Sequence, residues 1–219
     1  MSDVLEFWIE WFPSLLDGFV ISLEVTAACL LLGIPLGMVL ALGVQARSRL
    51  ARWSALAVVE IGRGTPALIL LQFAYFGLPT AGLSLSSFVA ASLALAWCTG
   101  AYTSEIIRAG LEAVPPGQRE AAAVIGLSHL DALRYVILPQ ALRVSVPALL
   151  GFAIIMLQAS SLCFTIALPE IVSQAYMVGS NTFRYLPIFV LAGLMFAAVC
   201  IPATILVSLL ERRLGHHAA

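Results

Sequence analysis

Polar residues are scarce in this chain, so each one inside an apolar stretch is a candidate for chemistry. Glu60 and Arg63 stand three apart in Glu60-Ile61-Gly62-Arg63-Gly64-Thr65-Pro66. At helical spacing they share a face and can pair. An ion pair at membrane depth must face protein or water, so the two read as a buried structural clasp. A second set, Thr99, Tyr102, Gln158, Ser160 and Ser161, offers hydroxyls and an amide at membrane depth. Such groups bind a carboxylate or a polar side chain, and they read as a candidate substrate pathway. Serine can also bond back to a helix carbonyl, which is the plainer reading of the same residues. Covalent and metal chemistry have little support. His129, His216 and His217 lie outside every apolar stretch, which removes a membrane metal site and a Ser-His pair. Cys29, Cys98, Cys163 and Cys200 show no C-x-x-C spacing and read as small buried hydrophobes. No catalytic residue, metal or cofactor is expected.

These residues must be positioned by membrane helices. Of 219 residues, 61% are hydrophobic and only 11% charged, with a mean hydropathy of +1.02. Soluble domains carry roughly a quarter charged residues. About 20 mainly apolar residues make one spanning helix, and five stretches qualify: roughly 18–44, 55–79, 85–107, 139–167 and 185–210. Backbone groups in lipid must be satisfied within each segment, so continuous runs of this length are helices rather than barrel strands. The fold class expected is an all-α polytopic membrane protein with five transmembrane helices, a single membrane domain over 1–219.

Charge sets the expected orientation. All eleven basic residues are arginine. Arg47, Arg49, Arg52, Arg108, Arg119, Arg134, Arg143, Arg212 and Arg213 fall on one side of a five-span arrangement, which the positive-inside rule makes cytoplasmic. The acidic N-terminal stretch, with Asp3, Glu6, Glu10 and Asp17, is then outside and the C-terminus inside. Arg184 is the outside exception. No cleavable signal is expected from the acidic start. Residues 1–17, with Trp8, Trp11 and Phe12, suit an interfacial segment. Gly33 and Gly37 give a G-x-x-x-G spacing that lets another helix approach. Pro66 can kink the second span, and 168–184 suits a short surface helix.

One polar excursion, at 118–138, reads as an ordered hairpin. Pro115-Pro116-Gly117 stops what precedes it, and a short helix follows from about Gln118 to Ile125. Gly126 suits the left-handed residue that ends a helix. Ser128 and Asp131 have the spacing of a cap that starts a second short helix, and Pro139 suits the first turn of the fourth span.

Glu120-Ala121-Ala122, Gly126 and Ile137-Leu138-Pro139 resemble the EAA loop of ABC-type import permeases. Three further stretches extend the likeness to the polar amino acid class of those permeases: Arg63-Gly64-Thr65-Pro66 with Tyr75-Phe76-Gly77-Leu78-Pro79, Gly100-Ala101-Tyr102 with Glu105, and Ser160-Ser161-Leu162 with Pro169-Glu170. The resemblance implies the type I ABC importer permease fold, in the bacterial cytoplasmic (inner) membrane, with Glu120, Ala121, Ala122, Gly126, Leu138 and Pro139 coupling to an ATPase. It implies as partners an ABC ATPase dimer that binds ATP and Mg, a second permease subunit and an extracytoplasmic solute-binding protein, with lipid around and no nucleic acid. The chain has no G-x-x-x-x-G-K-[ST] loop, so it cannot bind ATP in that way itself.

The chain departs from the pattern at Gln158 and Ala159, where many members carry Lys-Asp. Permeases resembling those for histidine, cationic amino acids or opines also tend to lack the acid, and Phe164-Thr165 is similar to them. A partner permease is then expected to supply it. Where the family has glutamine, this chain has Leu70, with Gln72 two residues on. The function expected is a non-catalytic permease subunit for polar amino acids, cationic ones among them, or related compounds. The rivals are half of an ion-driven carrier and a membrane assembly scaffold. Charges crowding toward span ends count against the carrier, whose ionisable groups sit at the midplane.

Overall fold

Residues 2–17 and the first span form one helix, not two elements. The structure, a computed structural model, describes residues 2–215; the positions of His216 and His217 lie outside the described residues. Helix α1 runs unbroken over Ser2–Val44, about 65 Å at 1.5 Å per residue. After a short turn Ser48 caps α2 (Arg49–Gly64), accepting a hydrogen bond from the Ala51 amide at 3.5 Å.

The expected second span is broken. Thr65 is extended (φ −96°, ψ 130°), as a residue before proline tends to be, and Pro66 has no amide to continue the ladder. Helix α3 (Ala67–Gln72) restarts beyond it and continues as a π turn, Phe73–Gly77, and a 3₁₀ turn, Leu78–Ala81. The two pieces meet at 104°. Leu70, Leu71 and Ala74 of the second piece pack beside Ala90, Ala91, Ala94 and Leu95, so α2 is turned well away from the direction that α3 takes.

Helix α4 (Ser87–Ala113) is the centre of the molecule, with more than half of its 27 residues buried. Among the described residues three stretches are long and apolar enough to cross a membrane, Asp3–Val44, His129–Ile166 and Tyr185–Arg213, and the bent α2–α3 pair makes a fourth if it counts as one span. Helix α4 falls outside that set. It is rich in small and weakly polar residues (Ser92, Thr99, Gly100, Thr103, Ser104) that neighbouring helices cover. The expected second span is therefore a bent pair rather than one plain helix, and the expected third is the single helix α4.

Helix α5 (Pro116–Val124) is followed by α6 (His129–Asp131), a π segment, Ala132–Ile137, and α7 (Leu138–Ala159), which ends in a 3₁₀ turn, Ser160–Ile166. From His129 to Ile166 this is one 38-residue helical stretch. Pro139 stands in the first turn of α7 as expected, but no break separates a second short helix from the span. The Leu138 amide donates to the Leu133 carbonyl, five residues back. That wider register lets the helix pass the proline, as π turns do. Helices α8 (Ile171–Thr182) and α9 (Tyr185–Gly215) complete the chain; no strand occurs among the described residues.

Packing follows the small residues. A Cβ on Gly33 would stand 2.5 Å from the Thr99 Cβ, and one on Gly37 would strike Thr103 Oγ1. The G-x-x-x-G thus seats α1 directly on α4. At one end of the bundle Phe7, Leu15 and Phe19 meet Ile171, Val178 and Ile188, and Arg184 pairs with Asp3 at 3.0 Å. At the other end Ala41, Ile107, Leu111 and Val114 meet Ile137 and Ala141. The N-terminus and the α8–α9 turn therefore share one end, and the hairpin sits at the opposite one.

Candidate coupling hairpin and translocation residues

The hairpin is built by local capping. The Gln118 amide donates to the Pro115 carbonyl at 3.0 Å, starting α5 at the proline pair. At its far end Gly126 takes φ +79°. The Gly126 amide donates to Ala123 and the Leu127 amide to Ala122, each at 3.0 Å, so the last carbonyls of α5 are satisfied through a left-handed residue. Ser128 accepts from the Asp131 amide at 3.2 Å, and its hydroxyl donates to the Asp131 carboxylate at 2.5 Å. The Arg119 guanidinium reaches the Leu111 carbonyl at 3.5 Å, tying α5 to the end of α4.

Glu120 and Ala121 are exposed, as is Pro139, and Glu120 has no ion-pair partner among the described residues. Ala122 is different, at 2% exposed. It lies on the inner side of α5, which packs against the Ala132–Ile137 segment. It therefore tightens the hairpin and offers nothing to a partner. Leu138 packs into the cluster of Ile107, Leu111 and Ile137, fixing the second limb to the bundle. Four large side chains that sequence reading did not single out are among the most exposed of the molecule: Val124 at 87%, Ile125 at 74%, Leu130 at 70% and Tyr135 at 64%. The signal was an apolar pair, Val124-Ile125, inside an otherwise polar stretch.

Arg63 does not pair with Glu60. Its guanidinium faces Glu105 of α4 at 3.6 Å and lies 5.9 Å from the Tyr102 ring centre. The cause is tertiary. Gly62 is buried on Ala101, and Trp97 donates to the Val58 carbonyl at 3.0 Å. This seating brings Arg63 over the α4 carboxylate and leaves Glu60 exposed. Glu105 also accepts from Arg108 at 2.7 Å, and Arg108 reaches Glu112 at 2.6 Å. A ladder of charge thus descends α4 from the α2–α3 bend toward the hairpin.

The five candidate pathway residues separate into three places. Gln158 and Ser161 line a cavity of about 340 Å³ with Val172 of α8 and Phe189, Gly193 and Phe196 of α9. Tyr102 is 40% exposed; it stacks on Phe152 and donates to the Arg63 carbonyl at 3.4 Å. Thr99 and Ser160 are wholly buried. The Ser160 hydroxyl donates to the Leu157 carbonyl at 2.7 Å, and that of Thr99 faces Cys29 Sγ at 3.8 Å. Neither presents a free polar group to a pathway in this conformation. Gln72 donates to the Thr165 carbonyl at 3.5 Å, joining α3 to the 3₁₀ turn.

Glu170 is the buried carboxylate that sequence reading left without a role. It accepts from the Val172 and Ser173 amides at 2.9 and 2.8 Å, capping α8. Gly18 of α1 leaves no room for a side chain there: a Cβ would stand 2.9 Å from the Glu170 carbonyl carbon. Burial raises its pKa to about 7, against the lowering effect of the two amides and of Ser22.

Residues 33–216 match a family model described as the binding-protein-dependent transport system inner membrane component. The chain is 34% identical to the arginine transport system permease protein ArtQ of Bacillus subtilis, over 94% of each chain. It is 33% identical to the glutamate/aspartate import permease protein GltK of Escherichia coli, over 92% of this chain and 93% of the relative. A solved structure described as an amino acid ABC transporter with histidines superposes with a TM-score of 0.87 at 35% identity, covering 94% of this chain and 96% of that one.

Proposed function

The chain belongs to the family of binding-protein-dependent transport system inner membrane components, and from that premise we propose that it forms half the pore of an ATP-driven amino acid importer. It is a multi-pass permease subunit of an ABC transporter. Its partners are of the kinds that work with such a subunit: an ATPase, a second permease and a solute-binding protein. Hydrolysis belongs to the ATPase.

The observation that carries the reading is the hairpin. It is rigidly capped, fixed to the end of α4 by Arg119 and to the bundle by Leu138, and topped by exposed Val124, Ile125, Leu130 and Tyr135 beside Glu120. A rigid lever with an apolar tip suits a groove on a moving partner. Closure of an ATPase pair on ATP would displace α5, and the unbroken His129–Ile166 stretch would carry the movement into the span. The single permease domain is 1–219, with 118–138 as its coupling part, N-terminus outside and C-terminus cytoplasmic.

The substrate is read as an amino acid because relatives of equal similarity bear arginine and glutamate/aspartate names. Those names differ in side-chain charge, so the side chain is set by local residues. Gln158 and Ser161 at the cavity and Tyr102 beside Arg63 are the polar groups within reach. Gln158 and Ala159 supply no charge, so a cationic side chain would take its acid from the second permease.

Reconstitution with the cognate ATPase and binding protein tests this. Hydrolysis should rise several-fold when the binding protein is loaded, and only with the amino acids it carries. A chain that retains no ATPase on purification sinks the coupling reading; stimulation by non-amino-acid solutes alone sinks the substrate class.

A further inference from the structure

Helix α2 has two apolar faces, and the bundle covers only one. Ala55, Val59 and Gly62 are buried against α1 and α4. On the opposite side Leu50 (82% exposed), Trp53 (65%), Ala57 and Ile61 (52%) fall in an arc of about 80° at 100° per residue. Arg49 flanks this face, about 40° round the helix from Trp53 at 100° per residue, with Arg47 in the turn before the helix, whereas Arg52 lies about 100° from Trp53, toward the buried side; all three are exposed and none is in an ion pair among the described residues. The 104° bend at Thr65-Pro66 turns α2 away from the direction of α3. An apolar strip edged by arginine, on a helix turned across the bundle, is the pattern of a segment lying in a membrane interface.

We propose that α2 seats an anionic phospholipid, with Arg47 and Arg49 holding its phosphate and Leu50, Trp53 and Ile61 its acyl chain. Charge favours this occupant over a second copy of the chain. An antiparallel copy would bring Glu60 toward the arginines, but α2 carries only that one acid against three cations. A phospholipid matches both halves of the surface at once, and each arginine near an anionic surface strengthens association roughly fivefold. The inference rests on the membrane reading and is independent of what is transported.

The whole transporter complex, in vesicles of phosphatidylcholine doped with brominated phosphatidylglycerol or brominated phosphatidylcholine, tests it through tryptophan quenching. Subtracting a Trp53→Phe variant isolates the Trp53 signal. Half-quenching should need roughly 25-fold less brominated phosphatidylglycerol than brominated phosphatidylcholine, fivefold for each of the two arginines, with the difference shrinking at high salt. It should vanish in R47Q/R49Q and persist in R47K/R49K. Equal quenching by both lipids overturns the headgroup site. Absence of Trp53 quenching, with disulfide trapping of a Trp53→Cys variant to a second subunit, overturns it in favour of a subunit interface. ATPase stimulation by loaded binding protein, measured on the same vesicles, reports separately on the transport reading.

Discussion

Single residues here owe their roles to partners far away in sequence. Glu170 caps α8, and its raised pKa sets a pH dependence whose sign is fixed. The folded form binds the proton more tightly than the unfolded chain, whose pKa lies near 4.5. Stability from this group is full below that value and lost as pH rises through about 7, by on the order of 3 kcal/mol at most. Thermal unfolding of the complex in detergent should occur at lower temperature at pH 8 than at pH 5, and Glu170→Gln should flatten that slope. An unchanged slope in the variant removes the assignment. Arg63 and Glu105 make a second case. Both are about one-third exposed, so the pair is worth about 0.5–1 kcal/mol. Reversing either charge sets like charges together, and R63E/E105R should recover stability that both single variants lose; additive losses would show no coupling. Neither partner was legible in the sequence. Spacing suggested Glu60 for Arg63 because helix periodicity sees three residues ahead, whereas Gly62 and Trp97 decide where α2 lies. Thr99 and Ser160 were polar by type, and only packing shows that they are closed off.

Elements were legible where their ends are written locally. The proline pair before α5, Gly126 after it and the Ser128–Asp131 cap each act within a few residues, and each occurs as the sequence indicates. Pro66 marked a kink, but the 104° turn depends on how α2 and α3 pack on α4 and so was hidden. The π segment before Pro139 was hidden for the same kind of reason, since it joins two elements that capping signals separate. Gly126 supplies a prediction at this scale. A Cβ there meets no neighbour, so Gly126→Val perturbs through φ alone, at about 1–2 kcal/mol. The protein should insert and bind its ATPase while uptake falls severalfold, as the limbs of the hairpin change their angle. Normal uptake by the variant would refute the lever. Val124→Asp with Ile125→Asp should instead release the ATPase on purification, because a charge at an apolar tip loses the contact and leaves the fold, where both side chains are solvent-exposed, intact.

The molecule as a whole has two unlike ends, and the proposed coupling role rests on that asymmetry. Asp3–Arg184 and the α1–α8–α9 cluster close one end, while the hairpin and the α4 charge ladder occupy the other. Helices α1 and α4 run side by side between them through Gly33 and Gly37, a close-packed path along which the proposed lever would act. The proposed orientation, argued from the arginine distribution, places the hairpin end in the cytoplasm. Labelling can test this with little background, because all four native cysteines are buried. Cysteines replacing Asp3 and Phe183, the latter 88% exposed, should react with an impermeant maleimide added to intact cells. Cysteines replacing Arg47 and Glu120 should react only after the membrane is opened. The reverse pattern would invert the molecule and place the hairpin beyond reach of any ATP-driven partner. Labelling of both sets in intact cells would mean that the two ends face the same side, contradicting the span of α1 itself.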